Sequence, residues 1–405
     1  KEFDEIEKDI QTFWNKMKPT NLTGTEVKFL DYEPWRYYRQ FKLSIKQNDK
    51  DVPLETLGEG VQRLAIIALY RTYLKKHGRS ERAILLIEEP ESYLHPQARK
   101  TLFRVLRQAI KETVDVEGQI IYTTHSENFI NCGNFDDMVI FVRKYDGVEV
   151  RHINEEALKR HTIALGQPES EICDQHIHYR LIETISQGLK EALFTHKAVI
   201  VEGPSEVELF KFFSDAENEQ IGIVSAGGKN NIPAIYSFLT AFGVPCLIVI
   251  DRDDPDNDQE KNKNVNTKIF KALTQNNALT PDNTKMDIYL NEIEKVGDGE
   301  IFSKERLLVF GRNLETVLSK RVSAWSDLLK SLRETFNLPA SQAKPGPRDI
   351  QALGLAYAGE YESTTRVKKK VGDSKQELGK LRERLNKFIR QEEIHNPKLL
   401  RSQNG

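Results

Sequence analysis

Cysteine is scarce in this sequence, and long apolar runs are missing from it. Three cysteines, Cys132, Cys173 and Cys246, are scattered over 405 residues, which excludes a dense disulfide framework and predicts a reducing, cytoplasmic location. No apolar run reaches the ~18 to 20 residues that cross a bilayer, so we expect no membrane partner. The chain also starts at Lys1 without Met or a signal peptide. It is therefore predicted to be a fragment that lacks an N-terminal part.

A surplus of charge is lacking as well. The sequence has 59 Lys and Arg against 61 Asp and Glu, a net charge of −2. This balance gives no overall attraction to nucleic acid, so any contact with DNA has to come from local patches. The C-terminal segment 361–405 is such a patch, with 12 basic against 6 acidic residues. Within it, Lys368, Lys369 and Lys370 are predicted to contact DNA phosphates.

Strand-like and helix-like segments alternate along most of the chain. An amphipathic helical pattern covers residues 3–17, and a long helix is predicted to begin near residue 59. After residue 197, strands and helices follow one another in the pattern of a parallel sheet covered by helices. The predicted fold class is therefore α/β. The stretch 252–300 is rich in Asp, Asn and Lys with little periodicity, and is predicted to be an insertion rather than core.

The segment "LGEGVQR" (57–63) places Gly58 and Gly60 directly before a helix, with Gln62 in its first turn. Small residues let the backbone come close to a ligand, and the exposed amides of a helix N-terminus attract phosphate. Taken alone, however, a glycine turn that opens a helix is usually only a cap. The motif is therefore a weak prediction of a phosphate site unless other motifs accompany it.

Two further segments end predicted buried strands on polar residues. In "LLIEEPE" (85–91), Glu88 could hold Mg²⁺ and Glu89 could orient an attacking water. In "IIYTTHS" (120–126), His125 is suited to contacting a γ-phosphate. Three such segments in this order resemble the signature motif, Walker B, D-loop ("SYLHP", 92–96) and switch histidine of ABC-type ATPases of the chromosome-maintenance and recombination-repair kind.

The resemblance covers roughly residues 29–150 and departs from that family in two ways. Glu88 stands where most members have Asp, a tolerable exchange for a Mg²⁺ ligand. No G-x-x-x-x-G-K-[ST] sequence, the P-loop that cradles phosphates, occurs anywhere in the chain. The resemblance therefore implies half of a nucleotide site, with ATP as a cofactor of the full-length protein and a missing P-loop upstream.

Carboxylates also end two later strands. "VEGPSE" (201–206) carries Glu202 and Glu206, and "IDRD" (250–253) carries Asp251 and Asp253. Crowded carboxylates repel one another and are costly to desolvate, so we expect something positive between them. Acidic oxygens suit Mg²⁺ or Mn²⁺, and two such ions ~3.5–4 Å apart can clamp the attacking and leaving oxygens of a phosphodiester. The alternative is that these residues are helix caps and turn residues.

These two motifs resemble the Toprim domain of primases, topoisomerases and some nucleases, in which such residues meet at the carboxyl edge of a parallel, Rossmann-like sheet. An ABC-type ATPase followed by Toprim resembles the OLD ("overcoming lysogenization defect") nucleases, which include the Gabija nuclease subunit and retron-associated effectors. This resemblance spans about residues 29–350. It implies domains at 1–28 (end of a helical arm), 29–150 (ATPase C-terminal lobe), 151–195 (helical connector), 196–360 (Toprim) and 361–405 (basic helical segment).

The resemblance also implies roles for individual residues. Glu202, Glu206 and Asp251 would hold one metal ion, Asp253 would help to hold a second, and Glu315 matches a further acidic ligand. Lys344 occupies the place of a basic residue near the scissile phosphate. Lys229, in the glycine turn "GGKNN" (227–231), could touch phosphate, but we predict that it is solvated.

The implied function is a metal-dependent endonuclease that nicks or cleaves duplex DNA, regulated by an ATPase dimer and acting in anti-phage defence. The implied partners are duplex DNA, further copies of the chain through the ATPase domain, and a helicase or retron component. One rival is a primase or topoisomerase, although zinc-finger cysteines and a separate domain for a catalytic tyrosine are not found in the sequence. The other rival is a DNA-binding ATPase clamp with an inactive Toprim domain.

Two patterns are predicted to be structural. "CDQHIH", with Cys173, His176 and His178, resembles part of a zinc site but lacks a second half with suitable spacing. A surface helix is the favoured interpretation. The apolar stripe Leu378, Leu381, Leu385 and Phe388 is predicted to pack on its own domain rather than to form a dimer.

Overall fold

The computed structural model divides the chain into two compact units, Lys1–Ile130 and Asn131–Gly405. The described residues are 2–17, 24–29, 41–47, 50–77, 84–112, 119–144, 147–167, 188–216, 219–253, 259–274, 290–339, 345–359 and 365–390.

The first unit begins with a helix and a small antiparallel sheet. Helix α1 (Glu2–Met17) has its Trp14 side chain fully buried in the core of the unit. Strands β1 (Gly24–Phe29), β2 (Phe41–Gln47) and β3 (Lys50–Pro53) follow in that order in an antiparallel sheet. The helix predicted at the start of the chain is therefore present.

The remainder of the first unit carries the ATPase-like motifs. Helix α2 (Glu59–His77) follows the glycine turn, and β4 (Ile84–Glu88) pairs in parallel with β5 (Gln119–Thr123). Helix α3 (Pro96–Glu112) connects the two strands. The core lies between these helices and is formed by Trp14, Ile45, Leu64, Ala65, Ile67, Ala68, Leu94, Leu102, Val105, Leu106 and Phe129.

Strands β4 and β5 are not buried as the sequence predicted. On β4, Leu85 is buried, whereas the Leu86 side chain is 71% exposed. Ile121 on β5 is also exposed. Within the described residues these strands pair only with each other, so one face of the pair has no covering layer. The aliphatic runs predicted the strands correctly but not their burial.

The second unit is built on a five-stranded sheet. Its order is β11 (Ile301–Lys304), β12 (Leu307–Phe310), β10 (Cys246–Asp251), β8 (Lys197–Val201) and β9 (Ile221–Ser225). All neighbours pair in parallel except β11, which is an antiparallel edge strand. The predicted parallel α/β sheet is confirmed, and the chain is α/β as a whole.

Helices cover both faces of this sheet. The helices are α4 (Glu155–Ala164), α5 (Leu189–Ala192), α6 (Pro204–Phe213), α7 (Ile232–Ala241), α8 (Gln259–Thr274), α9 (Leu314–Arg321), α10 (Trp325–Thr335) and α11 (Pro347–Ala358). Strands β8 and β10 are buried along almost their whole length, because helices pack on both sides of them.

A β-hairpin and helix α4 also belong to the second unit. Strands β6 (Val139–Lys144) and β7 (Gly147–His152) are antiparallel. Buried Arg151 on β7 donates to the carbonyl oxygens of Phe242 and Gly243 at 3.0 and 2.9 Å, beyond the end of α7. The resemblance implies an ATPase lobe that extends to residue 150, whereas the first compact unit ends at Ile130 and the hairpin lies in the second.

Two further segments contribute to the core, and one of them was predicted to be an insertion. Helix α8 lies inside the predicted insertion, yet its Ile269 and Phe270 are fully buried. Near the C-terminus, helices α12 (Thr365–Asp373) and α13 (Lys375–Ile389) follow. The apolar stripe of α13 is buried in the core of the second unit, which confirms the packing interpretation.

Among the helices described here, none combines the length and the apolar character that a bilayer span requires.

Candidate functional site

The carboxyl ends of β8 and β10 lie side by side and bring Glu202 and Asp251 together. Val201 is the register partner of Val249, so the residues that follow both strands leave the sheet at the same edge. The Asp251 N–H donates to Glu202 Oε2 at 3.4 Å. Residues 49 positions apart in the chain thereby meet, as the sequence predicted, because parallel strands align their ends.

Glu206 joins this edge from the first turn of α6. Its side chain turns back toward the strand, and Oε2 accepts a hydrogen bond from the Gly203 N–H at 3.0 Å, which completes a capping box. Glu206 is only 6% exposed. One hydrogen bond of Glu206 therefore does cap the helix, as the alternative interpretation proposed. A capping role alone does not explain why the side chain is buried.

Burial and mutual repulsion raise the pKa values of three carboxyl groups at this edge. For Glu206, desolvation is the main cause and the charges of Glu202 and Glu315 add to it, so the pKa rises to about 7. Desolvation also raises the pKa of Glu202. It raises the pKa of Asp251 well above the ordinary value, with Glu206, Glu202 and Glu315 contributing repulsion. The four carboxylates thus form one electrostatic cluster, which we call the acidic cluster.

Asp251 has a carboxylate oxygen without a partner. Its Oδ1 is fully buried and accepts no hydrogen bond in the structure. A buried carboxylate oxygen that has lost water and gained no donor is energetically costly. A divalent cation that prefers oxygen ligands would supply the missing partner of this oxygen. The carboxylate oxygens at this edge therefore fit an ion such as Mg²⁺ or Mn²⁺.

Lys229 lies beside the acidic cluster, and this corrects the prediction that it is solvated. The side chain is only 7% exposed. Its Nζ donates to the Asp251 carbonyl oxygen at 2.6 Å and forms an ion pair with Asp253 Oδ2. The second glycine of the preceding turn, Gly228, has φ +134°, a conformation that L side chains rarely adopt, and this turn directs Lys229 inward.

Asp253 is held by its backbone as well as by Lys229. It adopts φ +67°, which is uncommon for a residue with a side chain. Its N–H donates to the Arg312 carbonyl oxygen at 3.0 Å, just beyond β12. The neighbouring Arg252 forms an ion pair with Asp298 at 2.5 Å. The turn after β10 is therefore fixed to the next strand, and Asp253 points toward Lys229.

Glu315 reaches the acidic cluster from a third direction. It lies in the first turn of α9, which Asn313 caps by accepting from the Thr316 N–H at 2.8 Å. Glu315 also borders a cavity of about 790 Å³ whose lining includes Arg312, Lys330 and Pro345.

Lys344, the predicted basic residue near the scissile phosphate, lies outside the described residues, as do Cys173, His176 and His178.

In the described part of the chain, no three His, Cys, Asp or Glu side chains have the arrangement of a formed metal-binding set. Two contacts account for this. Glu206 is engaged by the Gly203 N–H, and Asp253 is engaged by Lys229. The acidic cluster is close enough for mutual repulsion, but its oxygens do not converge on a single point.

The first unit ends its strands on a different set of polar contacts. Glu89 follows β4 with φ +41°, and its N–H donates to the Thr123 carbonyl oxygen at 3.1 Å. Its Oε2 accepts from Ser92 Oγ at 2.8 Å, and its Oε1 lies 3.6 Å from His125 Nε2. Glu88 is exposed at the end of β4. The structure thus brings Glu89 and His125 together at the ends of β4 and β5.

The glycines of the signature-like turn are not equivalent. A Cβ at Gly60 would lie 2.7 Å from the Tyr93 carbonyl oxygen and 2.9 Å from Leu94 Cδ2, whereas one at Gly58 would meet nothing within 4 Å. Gln62 Nε2 donates to the Leu57 carbonyl oxygen at 2.7 Å. In this structure, Gly60 permits close packing on the D-loop, and Gln62 ties the turn to the helix.

Sequence reasoning missed two residues of the first unit. Glu91 is 6% exposed, and its Oε1 accepts from Thr124 Oγ1 at 2.6 Å and from the His125 N–H at 2.8 Å. Arg63 Nη1 donates to the Glu89 carbonyl oxygen at 2.9 Å. The third acidic residue of "EEPE" was a signal for Glu91, because a carboxylate so close to a strand end can reach the loop after the neighbouring strand. Arg63 gave no comparable signal.

Family models match two parts of the chain. Residues 1–130 match a model described as AAA ATPase domain. Residues 193–253 match one described as overcoming lysogenization defect protein-like, TOPRIM domain. The second match includes Glu202, Glu206, Lys229, Asp251 and Asp253.

The curated relatives point the same way. OLD nuclease of Thermus scotoductus is 27% identical over 239 residues, 57% of this chain and 42% of the relative. Endonuclease GajA of Bacillus cereus is 23% identical over 369 residues, 86% of this chain and 52% of the relative. Old nuclease of Escherichia phage P2 is 23% identical over 231 residues, 53% of this chain and 37% of the relative. The chain thus spans about half or less of the length of these relatives.

Proposed function

Because the chain joins an AAA ATPase domain to an OLD-like TOPRIM domain and has OLD nuclease and GajA as homologues, we propose that it is a metal-dependent DNA endonuclease. The observation that carries this proposal is the buried, unpartnered Asp251 Oδ1 among carboxylates that repel one another. Such an arrangement is costly unless a cation binds there. The relatives' names supply the reaction class, hydrolysis of a phosphodiester bond.

Glu202, Glu206 and Asp251 would hold the first divalent cation, and Asp253 with Glu315 would contribute to a second. All five supply the carboxylate oxygens that Mg²⁺ and Mn²⁺ prefer. Binding requires small side-chain rotations, because Glu206 would exchange the Gly203 N–H, and Asp253 would exchange Lys229, for the cation. Burial is the main cause of the raised pKa values of Glu206 and Asp251, and repulsion by neighbouring carboxylates adds to it, so a cation that offsets this repulsion is favoured.

Divalent cations bound there would supply an activated water and charge stabilisation for the departing oxygen. The chain's own residues would do the positioning. The fixed strand ends hold Glu202 and Asp251 in place, and the tethered turn holds Asp253. We expect Lys344 to contact the scissile phosphate.

The DNA would reach the acidic cluster along the cavity beside Glu315. Arg312 and Lys330 line this cavity and carry charges that attract a phosphate backbone. On α12, Lys368 and Lys369 are exposed, whereas Lys370 Nζ donates to the Asp327 carbonyl oxygen at 2.9 Å and to Ser331 Oγ at 3.1 Å. We therefore assign phosphate contacts to Lys368 and Lys369 and a structural role to Lys370.

The first unit would regulate cleavage through ATP in the full-length protein. Glu88 would hold Mg²⁺, Glu89 would orient the attacking water, and His125 would contact the γ-phosphate. Gly58, Gly60 and Gln62 would contact the phosphates of a nucleotide that is bound mainly by a second copy of the chain. A homodimer is therefore part of the proposal. We further propose a cytoplasmic role in anti-phage defence, with a helicase or retron component as partner. The two described cysteines, Cys132 and Cys246, are buried free thiols, in keeping with that compartment.

Incubation of supercoiled plasmid with the protein and Mg²⁺ or Mn²⁺ tests the proposal. Nicked and linear products that disappear in EDTA are expected from a metal-dependent endonuclease. Relaxed topoisomers would instead identify a topoisomerase, and primer synthesis from nucleoside triphosphates would identify a primase. DNA that is bound but unchanged would favour the clamp with an inactive Toprim domain.

A further inference from the structure

Lys229 is a buried cation placed between two acidic residues that follow the same strand. Its Nζ contacts the Asp251 carbonyl oxygen and the Asp253 carboxylate. Its positive charge also acts on two carboxyl groups to which it donates no hydrogen bond, since it lowers the pKa of Glu202 and Asp251 against the larger effect of burial. The ammonium group is therefore part of the charge balance of the acidic cluster.

The backbone holds Lys229 in this position. Gly227 and Gly228 both have positive φ, and the Gly228 N–H donates to the Glu202 carbonyl oxygen at 2.9 Å. Asn231 Nδ2 closes the turn on the Ala226 carbonyl oxygen at 3.0 Å. The turn after β9 is thereby tied to the end of β8, so the lysine is aimed at the cluster by its backbone and not by its own ion pair alone.

We propose that Lys229 is an internal latch, a positioning residue that holds Asp253 when no metal is bound and competes with the divalent cation for it. This rests on the proposed metal site. A carboxylate oxygen paired with an ammonium group is not free to bind a cation, and two positive charges a few ångströms apart repel each other. Metal binding would therefore require the Lys229–Asp253 pair to open, which links occupancy of the site to the shape of the turn at residues 251–253.

The geometry favours this role over a phosphate contact. Of the three hydrogens that an ammonium group can donate, two are used inside the protein, on Asp251 and Asp253. The side chain is also almost fully buried. A lysine that binds the phosphate of an incoming DNA strand would be expected to project into solvent or into the cavity beside Glu315.

Three variants separate the latch from a purely structural lysine. Lys229→Met removes the charge and keeps the length, Lys229→Arg keeps the charge, and Lys211→Met is a control with the same change in net charge. Lys211 is exposed on α6 and pairs only with Glu208 in the contacts seen, outside the acidic cluster. Mn²⁺ affinity is measured by titration calorimetry and stability by thermal unfolding in EDTA.

The latch predicts opposite effects on these two quantities. Lys229→Met should melt at a lower temperature in EDTA, because the cluster loses its counter-charge, yet bind Mn²⁺ about tenfold tighter, because a competing charge is gone. Lys229→Arg should bind Mn²⁺ within about threefold of the unaltered chain, and Lys211→Met should change neither quantity. Lys229→Met with unchanged or weaker Mn²⁺ binding would overturn the latch.

The remaining outcomes are also decisive. If the unaltered chain binds no Mn²⁺, the proposed metal site and the latch fail together, whereas binding that Lys229→Met does not tighten overturns the latch alone. Loss of DNA affinity in EDTA with unchanged Mn²⁺ affinity would assign Lys229 to a phosphate contact and overturn the latch.

Should Lys229→Met not fold, labelling of the unaltered chain with an amine-reactive reagent replaces the variant experiment. Mn²⁺ should raise labelling of Lys229 severalfold and leave Lys211 unchanged, and equal labelling of Lys229 with and without Mn²⁺ would overturn the proposal.

Discussion

The two units of this protein both end strands on acidic residues, but the surroundings of those residues differ. At the end of β4, Glu88 is exposed, and Glu89 is partly exposed and contacts Ser92 and His125. At the ends of β8 and β10, Glu206 is buried, the other members of the acidic cluster are half-buried, and the buried Asp251 Oδ1 has no partner. The same pattern of aliphatic residues followed by carboxylates thus leads to two electrostatic situations.

Glu91 makes the contrast sharper, because it is buried like Glu206. Its Oε1 accepts two hydrogen bonds, from Thr124 and His125, whereas Glu206 accepts one and faces two other carboxylates. Burial alone therefore does not define a cation site. Glu91 also keeps one buried oxygen, Oε2, without a partner, so what distinguishes the second unit is the repulsion among several carboxylates that lie close together.

The largest expected effect concerns cleavage. Asp251→Ala or Glu202→Ala should lower metal-dependent plasmid cleavage by at least about a thousandfold, because each removes a proposed ligand of the reacting centre. Melting temperature in EDTA should stay the same or rise, since repulsion is relieved, and the gain on adding Mn²⁺ should shrink. Glu89→Gln, at the other strand end, should leave this cleavage unchanged. Equal losses from Glu89→Gln and Asp251→Ala would erase the comparison.

The next largest effect tests whether the two hydrogen bonds accepted by Glu91 Oε1 stabilise the first unit. Glu91→Ala should destabilise the first unit by about 2 kcal/mol, because the half-buried Thr124 hydroxyl and the His125 N–H lose their acceptor. Glu91→Gln, which keeps an acceptor oxygen, should cost less. Urea unfolding followed by hydrogen exchange in residues 84–130 measures this. A Glu91→Ala chain as stable as the original would place Glu91 with the repelling carboxylates instead.

The pH dependence of metal-free stability should differ in sign from that of an ordinary ion-paired carboxylate. The Glu206 pKa is about 7 in the folded chain against 4.5 unfolded, so its contribution is fully present below pH 4.5 and is lost as the pH rises toward 7. Glu206→Gln keeps the cap acceptor and removes this loss. In EDTA it should gain about 2 kcal/mol over the original chain at pH 8 and little at pH 4.5.

The control for this experiment lies on the same helix. Glu208→Gln removes a carboxylate that pairs with Lys211 at the surface and should change stability by less than about 0.5 kcal/mol at both pH values. If the stabilities of Glu206→Gln and Glu208→Gln depend on pH in the same way, burial and repulsion do not raise the pKa of Glu206.

A smaller effect separates packing from ligand binding in the first unit. Gly60→Ala should destabilise by about 1 to 2 kcal/mol, because its Cβ would press on the Tyr93 carbonyl. Gly58→Ala has open space and should be nearly neutral for stability. Thermal unfolding of the two variants provides the measurement. Equal costs would mean that the D-loop does not contact the glycine turn.

The smallest effect lies away from both strand ends. Lys368→Gln with Lys369→Gln should weaken DNA binding in every sequence and reduce the slope of log affinity against log salt by about 2. Lys370→Gln should leave the slope unchanged, because that ammonium already bonds to Asp327 and Ser331. Fluorescence anisotropy over a salt series measures the slope. A drop caused by Lys370 alone would reverse the assignment.

Much of the fold could be predicted because periodicity is a local property. The alternation of aliphatic runs and helices after residue 197 predicts the parallel sheet, and the alignment of parallel strands predicts that Glu202 and Asp251 meet at one edge. Errors arose where burial depends on distant segments. The strands β4 and β5 were expected to be buried, α8 was taken for an insertion, and Lys229 was expected in solvent.

The sequence by itself determined which residue types follow each strand, and hence that an α/β chain with two acidic motifs and a glycine turn before a helix would form. Only the tertiary structure decided which of these carboxylates are deprived of water and partners. Desolvation and repulsion depend on the atoms packed around a group, and those atoms come from segments far apart in the chain, such as Lys229, Asp251 and Glu315. For this reason the chemistry of the acidic cluster is a property of packing, while its ingredients are a property of the sequence.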